Sequence, residues 1–167
     1  RGEFRRGYDI ARAPNPRALV CARVCAHPCE SRCRRGAIDQ PISIRALKRT
    51  LTERHGVESA VGGGAAEEPV PLHVAARVGG EPARVAVVGG GPAGLACAYE
   101  LAYLGYRVTV LEAAAVVGGM LYQGIPNYRL PRDLIRAEVD RVVRMGVEIQ
   151  TGRRLGRDFS VNDLLRT

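Results

Sequence analysis

The stretch from Val85 to Glu112 constrains the fold more than any other part of this chain. Val85-Ala86-Val87-Val88 is a short apolar, β-branched run that ends at Gly89-Gly90-Gly91-Pro92-Ala93-Gly94, as a buried parallel strand does. Pro92 falls where a first helical residue has no use for its N–H, and residues 93–104 are apolar and rich in helix formers. Gly105 stops that helix, and Tyr106-Arg107-Val108-Thr109-Val110-Leu111 alternates into a second strand ending at Glu112. Strand, glycine turn, helix, strand and acid make one βαβ unit of about 30 residues, and the chain is therefore read as α/β.

The spacing of the glycines gives each a physical role in a Rossmann-like unit. Gly89 permits the tight turn, Gly91 lets backbone approach a pyrophosphate, and Gly94 allows helix to pack closely on strand. Pro92 and Ala93 complete the turn at the helix N-terminus, where free N–H groups and the helix dipole favour an anion. Glu112, about 20 residues beyond the turn, is placed to accept both hydroxyls of an adenosine ribose and to repel a 2′-phosphate. FAD or NAD is expected here rather than NADP; the bland alternative is a glycine turn with no ligand. Shortly after Glu112 comes Gly118-Gly119-Met120-Leu121, a second place where backbone can pass close to a cofactor. An acid followed by a double glycine is the pattern of two-dinucleotide flavoproteins, so FAD is preferred over NAD.

Pro131 opens a further helix, with Leu134, Ile135, Val139, Val142 and Val143 as its apolar stripe and Gly146 as its stop. Val147-Glu148-Ile149 reads as a strand, and Ser160 with Asp163 as a capping box. Cys97, mid-helix on an apolar stretch, reads as a small buried hydrophobe. No second GxGxxG appears, so a site for NAD(P)H is expected outside the chain. Arg1 stands where a start Met is expected and no breaker follows Leu164-Leu165-Arg166-Thr167, so a fragment of a longer protein is expected.

Charge separates the chain into parts. There are 25 Lys plus Arg against 17 Asp plus Glu, a formal net charge of +8. Residues 1–55 hold 13 basic and 5 acidic residues, so the whole excess lies there. Lys48 is the single lysine, and aromatic residues for base stacking are scarce, with no Trp and only Phe4 and Phe159 as Phe. A solvated or electrostatic role for the charge is therefore favoured over nucleic-acid binding. With 46% hydrophobic residues the chain can form a core, yet no apolar run approaches the roughly 18 residues that span a bilayer. Arg1 to Arg6 lack the apolar stretch of a signal peptide, and a cytoplasmic setting without membrane insertion is expected. The organisation read from composition is 1–55, Arg- and Cys-rich; 56–82, a Gly-, Ala- and Pro-containing linker; and 83–167, the partial dinucleotide-binding domain.

Cys21, Cys25, Cys29 and Cys33 recur every fourth residue. On one unbroken helix the first and last would be about 18 Å apart, too far for a single cubane cluster, and Pro28 argues against such a helix. The segment either folds back or serves more than one cluster. Structural zinc usually uses a shorter C-x2-C spacing, so iron–sulfur ligation fits better, with zinc and reduced structural thiols as alternatives. His27, beside Pro28 and Cys29, reads as a turn residue or a support for a ligand.

Several motifs in order carry a specific resemblance. They are Leu19-Val20-Cys21-Ala22-Arg23-Val24-Cys25, Cys29-Glu30-Ser31-Arg32-Cys33, Pro41-Ile42-Ser43-Ile44, the glycine turn, Gly118-Gly119-Met120, and Gly124-Ile125-Pro126-Asn127-Tyr128-Arg129-Leu130-Pro131. Together they resemble the glutamate synthase small subunit family, relatives of the N-terminal part of dihydropyrimidine dehydrogenase. The resemblance implies an α-helical domain with [4Fe-4S] clusters before an FAD domain, passing electrons from NAD(P)H through FAD and clusters to a partner domain or subunit. It implies cluster ligation by Cys25, Cys29 and Cys33, with Cys21 as a further candidate. It also implies FAD contacts at Gly89, Gly91, Gly94, Glu112, Gly118 and Gly119, with Leu121 and Arg129 near the flavin. Two departures stand out: Cys25 and Cys29 are two residues closer than in many members, and Lys48 falls where relatives place a Gln or Glu that completes a cluster. A lysine ammonium offers no lone pair, so one cluster is expected to be absent, differently ligated or altered in potential. The family's upstream cysteines are not in the chain, so the chain alone is expected to lack a complete cluster. Arg23, Arg32, Arg34 and Arg35 are expected to offset the negative charge of a thiolate-bound cluster. The function implied is an electron-transfer flavoenzyme fragment. A non-catalytic assembly or electron-relay domain and a zinc-bearing nucleic-acid binder are the competing readings.

Overall fold

The computed structural model describes residues 2–61, 77–78 and 80–166. The expected linker falls largely on 62–76, outside the described residues. Two compact units follow from chain packing. One contains the N-terminal helices together with Pro126–Glu138; the other contains the sheet.

The helical unit begins with α1 (Phe4–Arg12), α2 (Ala18–Val24), α3 (Pro28–Ser31) and a 3-10 turn at Arg34–Ala37. Two more helices follow, α4 (Ile44–His55) and α5 (Val57–Val61). Helix α4 is the central strut against which α1, α2 and α5 pack. Tyr8 of α1, Ala18, Leu19, Val20 and Ala22 of α2, and Val57 of α5 form the apolar interior, with Thr52 buried among them. Gly56 makes the α4–α5 corner possible, because a Cβ there would lie 2.8 Å from the Thr52 carbonyl oxygen and 3.2 Å from the Tyr8 ring. The helical unit thus continues past residue 55 through α5. Pro126–Glu138 adds Leu130, Leu134 and Ile135, all buried.

The second unit opens with a two-strand antiparallel pair, β1 (Arg77–Val78) and β2 (Glu81–Pro82). The parallel sheet has the order β3 (Arg84–Val88), β4 (Arg107–Leu111), β5 (Glu148–Gln150). Val85 pairs with Val108 and Val110 with Ile149 across it. The crossovers are α6 (Pro92–Tyr103) and a longer connection through α7 (Met120–Gln123) and α8 (Arg132–Arg144); α9 (Val161–Arg166) follows the sheet. Ala98, Tyr99 and Ala102 of α6 pack with Val87, Val108 and Val110 of the sheet and with Val142, Met145 and Val147. Gly105 and Gly146 stop their helices in left-handed conformations, φ +89° and +91°, as glycine permits.

The structure corrects some sequence expectations. β3 is buried at Val87 only, and Val88 is half exposed, because helices cover one face of this sheet. The other face, with Ala86, Thr109 and Gln150, borders an open groove. Cys97 is exposed rather than buried, since it faces away from the sheet side of α6. On α8, Val143 is exposed, whereas Glu138 and Arg141 are buried. The Ser160–Asp163 capping box forms as expected: Asp163 Oδ2 accepts the Ser160 N–H at 2.8 Å, and Ser160 Oγ accepts the Asp163 N–H at 3.3 Å.

Candidate functional site

The turn between β3 and α6 brings together most of the residues expected to bind a dinucleotide. Gly89 has φ +103°, a conformation that favours glycine, and its N–H donates to the Leu111 carbonyl at 2.8 Å. Gly94 is the close-packing point, because a Cβ there would sit 1.8 Å from the Gly89 carbonyl oxygen. Gly91 is the opposite case: a Cβ there would meet no protein atom within 4 Å. Space is therefore left beside the Gly91 backbone and not beside Gly94, which is what a cofactor approaching the helix start requires. No side chain caps α6, whose first two residues are Pro92 and Ala93, and both are exposed. The N-terminal end of the helix dipole thus faces open space.

Glu112 is tied into this turn through both carboxylate oxygens. Oε2 accepts the Gly90 N–H at 2.6 Å, and Oε1 accepts the Ala114 N–H at 2.7 Å. The backbone on either side is fixed as well, with the Glu112 N–H donating to Gln150 and the Arg153 N–H donating to Glu112, each at 2.8 Å. A carboxylate oxygen has two lone pairs, so each still has room for one hydroxyl donor. The double glycine joins the same turn: the Gly118 N–H donates to the Gly90 carbonyl at 2.8 Å. A Cβ on Gly119 would lie 3.0 Å from Gly91 Cα. Leu121 is buried just beyond, its N–H donating to Gly118.

Gly90 belongs to the same site, although the GxGxxG spacing does not mark it. It is buried, and a Cβ there would meet Val117 Cγ1 at 2.5 Å and Glu112 Oε2 at 3.2 Å. The available signal was the run of three glycines, of which a two-glycine reading uses only the first and third. Arg129, expected near the flavin, lies exposed in the helical unit, on a turn where its N–H donates to Pro126.

The cysteines lie on a chain that breaks rather than on one helix. Cys21 is on α2 and Cys25 ends it in an extended conformation, ψ 139°. His27 is left-handed (φ 48°), Cys29 is on α3, and Cys33 precedes the 3-10 turn. Their surroundings differ. Cys25 Sγ accepts the His27 N–H at 3.3 Å. Backbone N–H groups of Ile42, Arg35 and Gly36 hold the Cys33 thiol below its usual pKa. Such donors suit a thiolate or a metal-bound sulfur. Cys21 Sγ instead lies 3.7 Å from Asn15 Oδ1, an oxygen fixed by the Arg17 N–H at 3.2 Å. A thiol can donate to that oxygen and a thiolate cannot. By the chemistry of their neighbours Cys25 and Cys33 fit a cluster, whereas Cys21 faces an acceptor oxygen. Exposed Cys29 is open to ligation. Among the described residues, no three His, Cys, Asp or Glu side chains are already gathered around one metal position.

Arginines expected to surround the thiolates divide in the same way. Arg23 is nearly buried and ion-paired with Glu58, with Glu53 at 3.7 Å, and Arg35 pairs with Asp39. Arg35 is exposed, as are Arg32 and Arg34, so of the four only Arg23 is withdrawn from solvent.

Both units match known families. Residues 1–59 match the model described as dihydropyrimidine dehydrogenase domain II, 4Fe-4S cluster, and residues 87–136 match an NAD(P)-binding Rossmann-like domain. The NADP(+)-dependent formate dehydrogenase subunit beta of Moorella thermoacetica is 41% identical over 99% of this chain and 25% of its own length. The NAD-dependent dihydropyrimidine dehydrogenase subunit PreT of Salmonella typhimurium is 34% identical over 96% of this chain and 37% of its own. Glutamate synthase [NADH] of Schizosaccharomyces pombe is 34% identical over 85% of this chain and 6% of its own. The chain belongs to the glutamate synthase small subunit family. It spans about a quarter to a third of the length of the first two of these relatives. Along this chain the match to the 4Fe-4S domain precedes the match to the Rossmann-like domain. Among the described residues no helix is long and apolar enough to cross a membrane.

Proposed function

We propose that the chain is the cluster-binding and FAD-binding part of an NAD(P)H-dependent electron-transfer oxidoreductase. The observation that carries this reading is the Glu112 carboxylate held by the Gly90 and Ala114 N–H groups at the end of an uncapped helix. The carboxylate is thereby oriented before any ligand arrives and turns its remaining lone pairs toward ribose hydroxyls. Gly91, Pro92 and Ala93 leave the helix start open to a pyrophosphate, Gly94 packs the helix onto the turn, and Gly118, Gly119 and Leu121 close the turn from the other side. Arg129 is assigned to the flavin end by resemblance. FAD held at this turn and at Glu112 would supply hydride and single-electron chemistry, and a cluster held by the cysteine thiolates would supply single-electron transfer. Cys25, Cys29 and Cys33 are assigned as ligands in this chain, with Cys21 as the weakest of the four for the reason given above. NAD(P)H is assigned to a site outside the chain, and electrons leave to a redox partner subunit or domain. The relatives' names, which are of dehydrogenase subunits, support that reading. We place it in the cytoplasm, where thiolates stay reduced, without nucleic-acid binding or membrane insertion.

Visible absorption with flavin, iron and sulfide analysis of the purified full-length protein tests the proposal. Flavin together with iron and sulfide is expected. A colourless protein that takes up no FAD on reconstitution would overturn it.

A further inference from the structure

The loop between Cys25 and Glu30 is held by contacts that the cluster assignment does not explain. His27 is the one non-glycine residue with positive φ among the described residues, at φ 48° and ψ 50°. Side chains rarely adopt this conformation, and a histidine there persists only where neighbours impose it. Its backbone N–H is thereby aimed at Cys25 Sγ, 3.3 Å away.

Glu30 is the side chain that meets the His27 ring. Its Oε2 lies 3.2 Å from His27 Nδ1, in contact but without hydrogen-bond alignment. Its Oε1 accepts the Arg45 backbone N–H at 2.7 Å, one of the first-turn donors of α4. Arg45 closes the circuit, with Nη1 donating to the Cys25 carbonyl oxygen at 3.1 Å. The loop and the start of α4 are therefore fixed to each other through one carboxylate. Lys48, the departure from the family pattern, stands one turn further along the same helix.

We propose that Glu30 is a positioning residue that holds His27 left-handed and thereby keeps a backbone N–H donor on the sulfur of Cys25. This rests on Cys25 being a cluster ligand. An N–H donor on a ligating sulfur withdraws negative charge and favours the reduced cluster, so losing it lowers the reduction potential. Glycine adopts φ 48° without help, so His27→Gly removes the need for Glu30 in this respect.

The test uses the full-length protein, with iron and sulfide content and the cluster midpoint potential from an EPR-monitored redox titration. Glu30→Ala is expected to lower the potential or to lose iron, His27→Gly to leave both near wild type, and the double variant to recover toward wild type. A Glu30→Ala potential and iron content equal to wild type would overturn the proposal, as would a double variant no better than Glu30→Ala alone. Wild-type protein lacking iron overturns the cluster reading itself, and the positioning role with it. Iron-bearing wild type with unresponsive variants overturns the positioning role only.

Discussion

Gly94 lies against the carbonyl oxygen of Gly89 so closely that a Cβ would come within 1.8 Å of it. The atom that would have to give way is backbone, held in the turn that begins at the end of β3. Gly94→Ala is therefore expected to destabilise the sheet unit at the upper end of the ~1–3 kcal/mol typical of overpacking. Gly91→Ala, whose Cβ meets nothing, should change the apo-protein's stability by less than about 0.5 kcal/mol while reducing FAD occupancy. Thermal melts of both variants with and without added FAD separate the two effects; equal melting points would contradict the assignment.

Glu112→Ala leaves the Gly90 and Ala114 N–H groups without their acceptor. A loss of about 1–3 kcal/mol in apo-protein stability is expected from that alone, along with weaker flavin retention. Glu112→Asp tests the geometry separately, because its shorter side chain cannot span both donors. Flavin occupancy after gel filtration is the readout, and unchanged occupancy in both variants would contradict ribose binding by Glu112.

Local features were legible in the sequence because they close over a few residues. The glycine turn, the stop at Gly105 and the Ser160–Asp163 box are of this kind. Glu112 was legible because a βαβ unit fixes its distance from the turn. What could not be read were partnerships across the chain. Arg23 was grouped with the cysteines by sequence proximity, yet it is ion-paired with Glu58, 35 residues away. Gly90 owes its role to Val117 and Glu112, and Glu30 owes its own to Arg45. Helix period located α6 and α8 but could not show which sides are covered, so Cys97 and Val143 were misplaced. A turn at His27 is legible beside Pro28, but its left-handed conformation is not, since glycine or asparagine is the usual residue there.

Glu138 makes the same point as a measurable quantity. Its position on α8 breaks the apolar stripe, and the structure buries it at 2% exposure with Arg12 (4%) and Arg17 (6%) in the helical unit. Glu138 Oε2 lies 3.5 Å from Arg12 Nη2. Burial lowers the Arg17 pKa, and the charge on Glu138 opposes that shift. Glu138→Ala leaves guanidinium charge buried without its carboxylate, and a loss of about 3–5 kcal/mol is expected. Denaturant unfolding of the full-length protein checks this; a loss below about 1 kcal/mol would mean that water or other groups compensate the arginines.

The start of α9 supplies a pH-dependent counterpart. Hydrogen bonds from the Ser160 hydroxyl, and then from its backbone N–H, hold the Asp163 carboxyl below the usual aspartate range. A carboxyl with a depressed folded pKa contributes stability that is present above its unfolded pKa and lost as pH falls through the folded value. The capping box should therefore be intact at neutral pH and open only at pH below about 4, the ordinary range for an aspartate. The Ser160 amide and Asp163 carboxyl resonances, followed by NMR through an acid titration, should move together with a midpoint below that of a free aspartate. In Asp163→Asn the Ser160 amide should show no such transition, because the amide side chain does not titrate. A transition that persists in this variant would assign the pH dependence to Asp158, whose carboxyl is likewise depressed by Arg157.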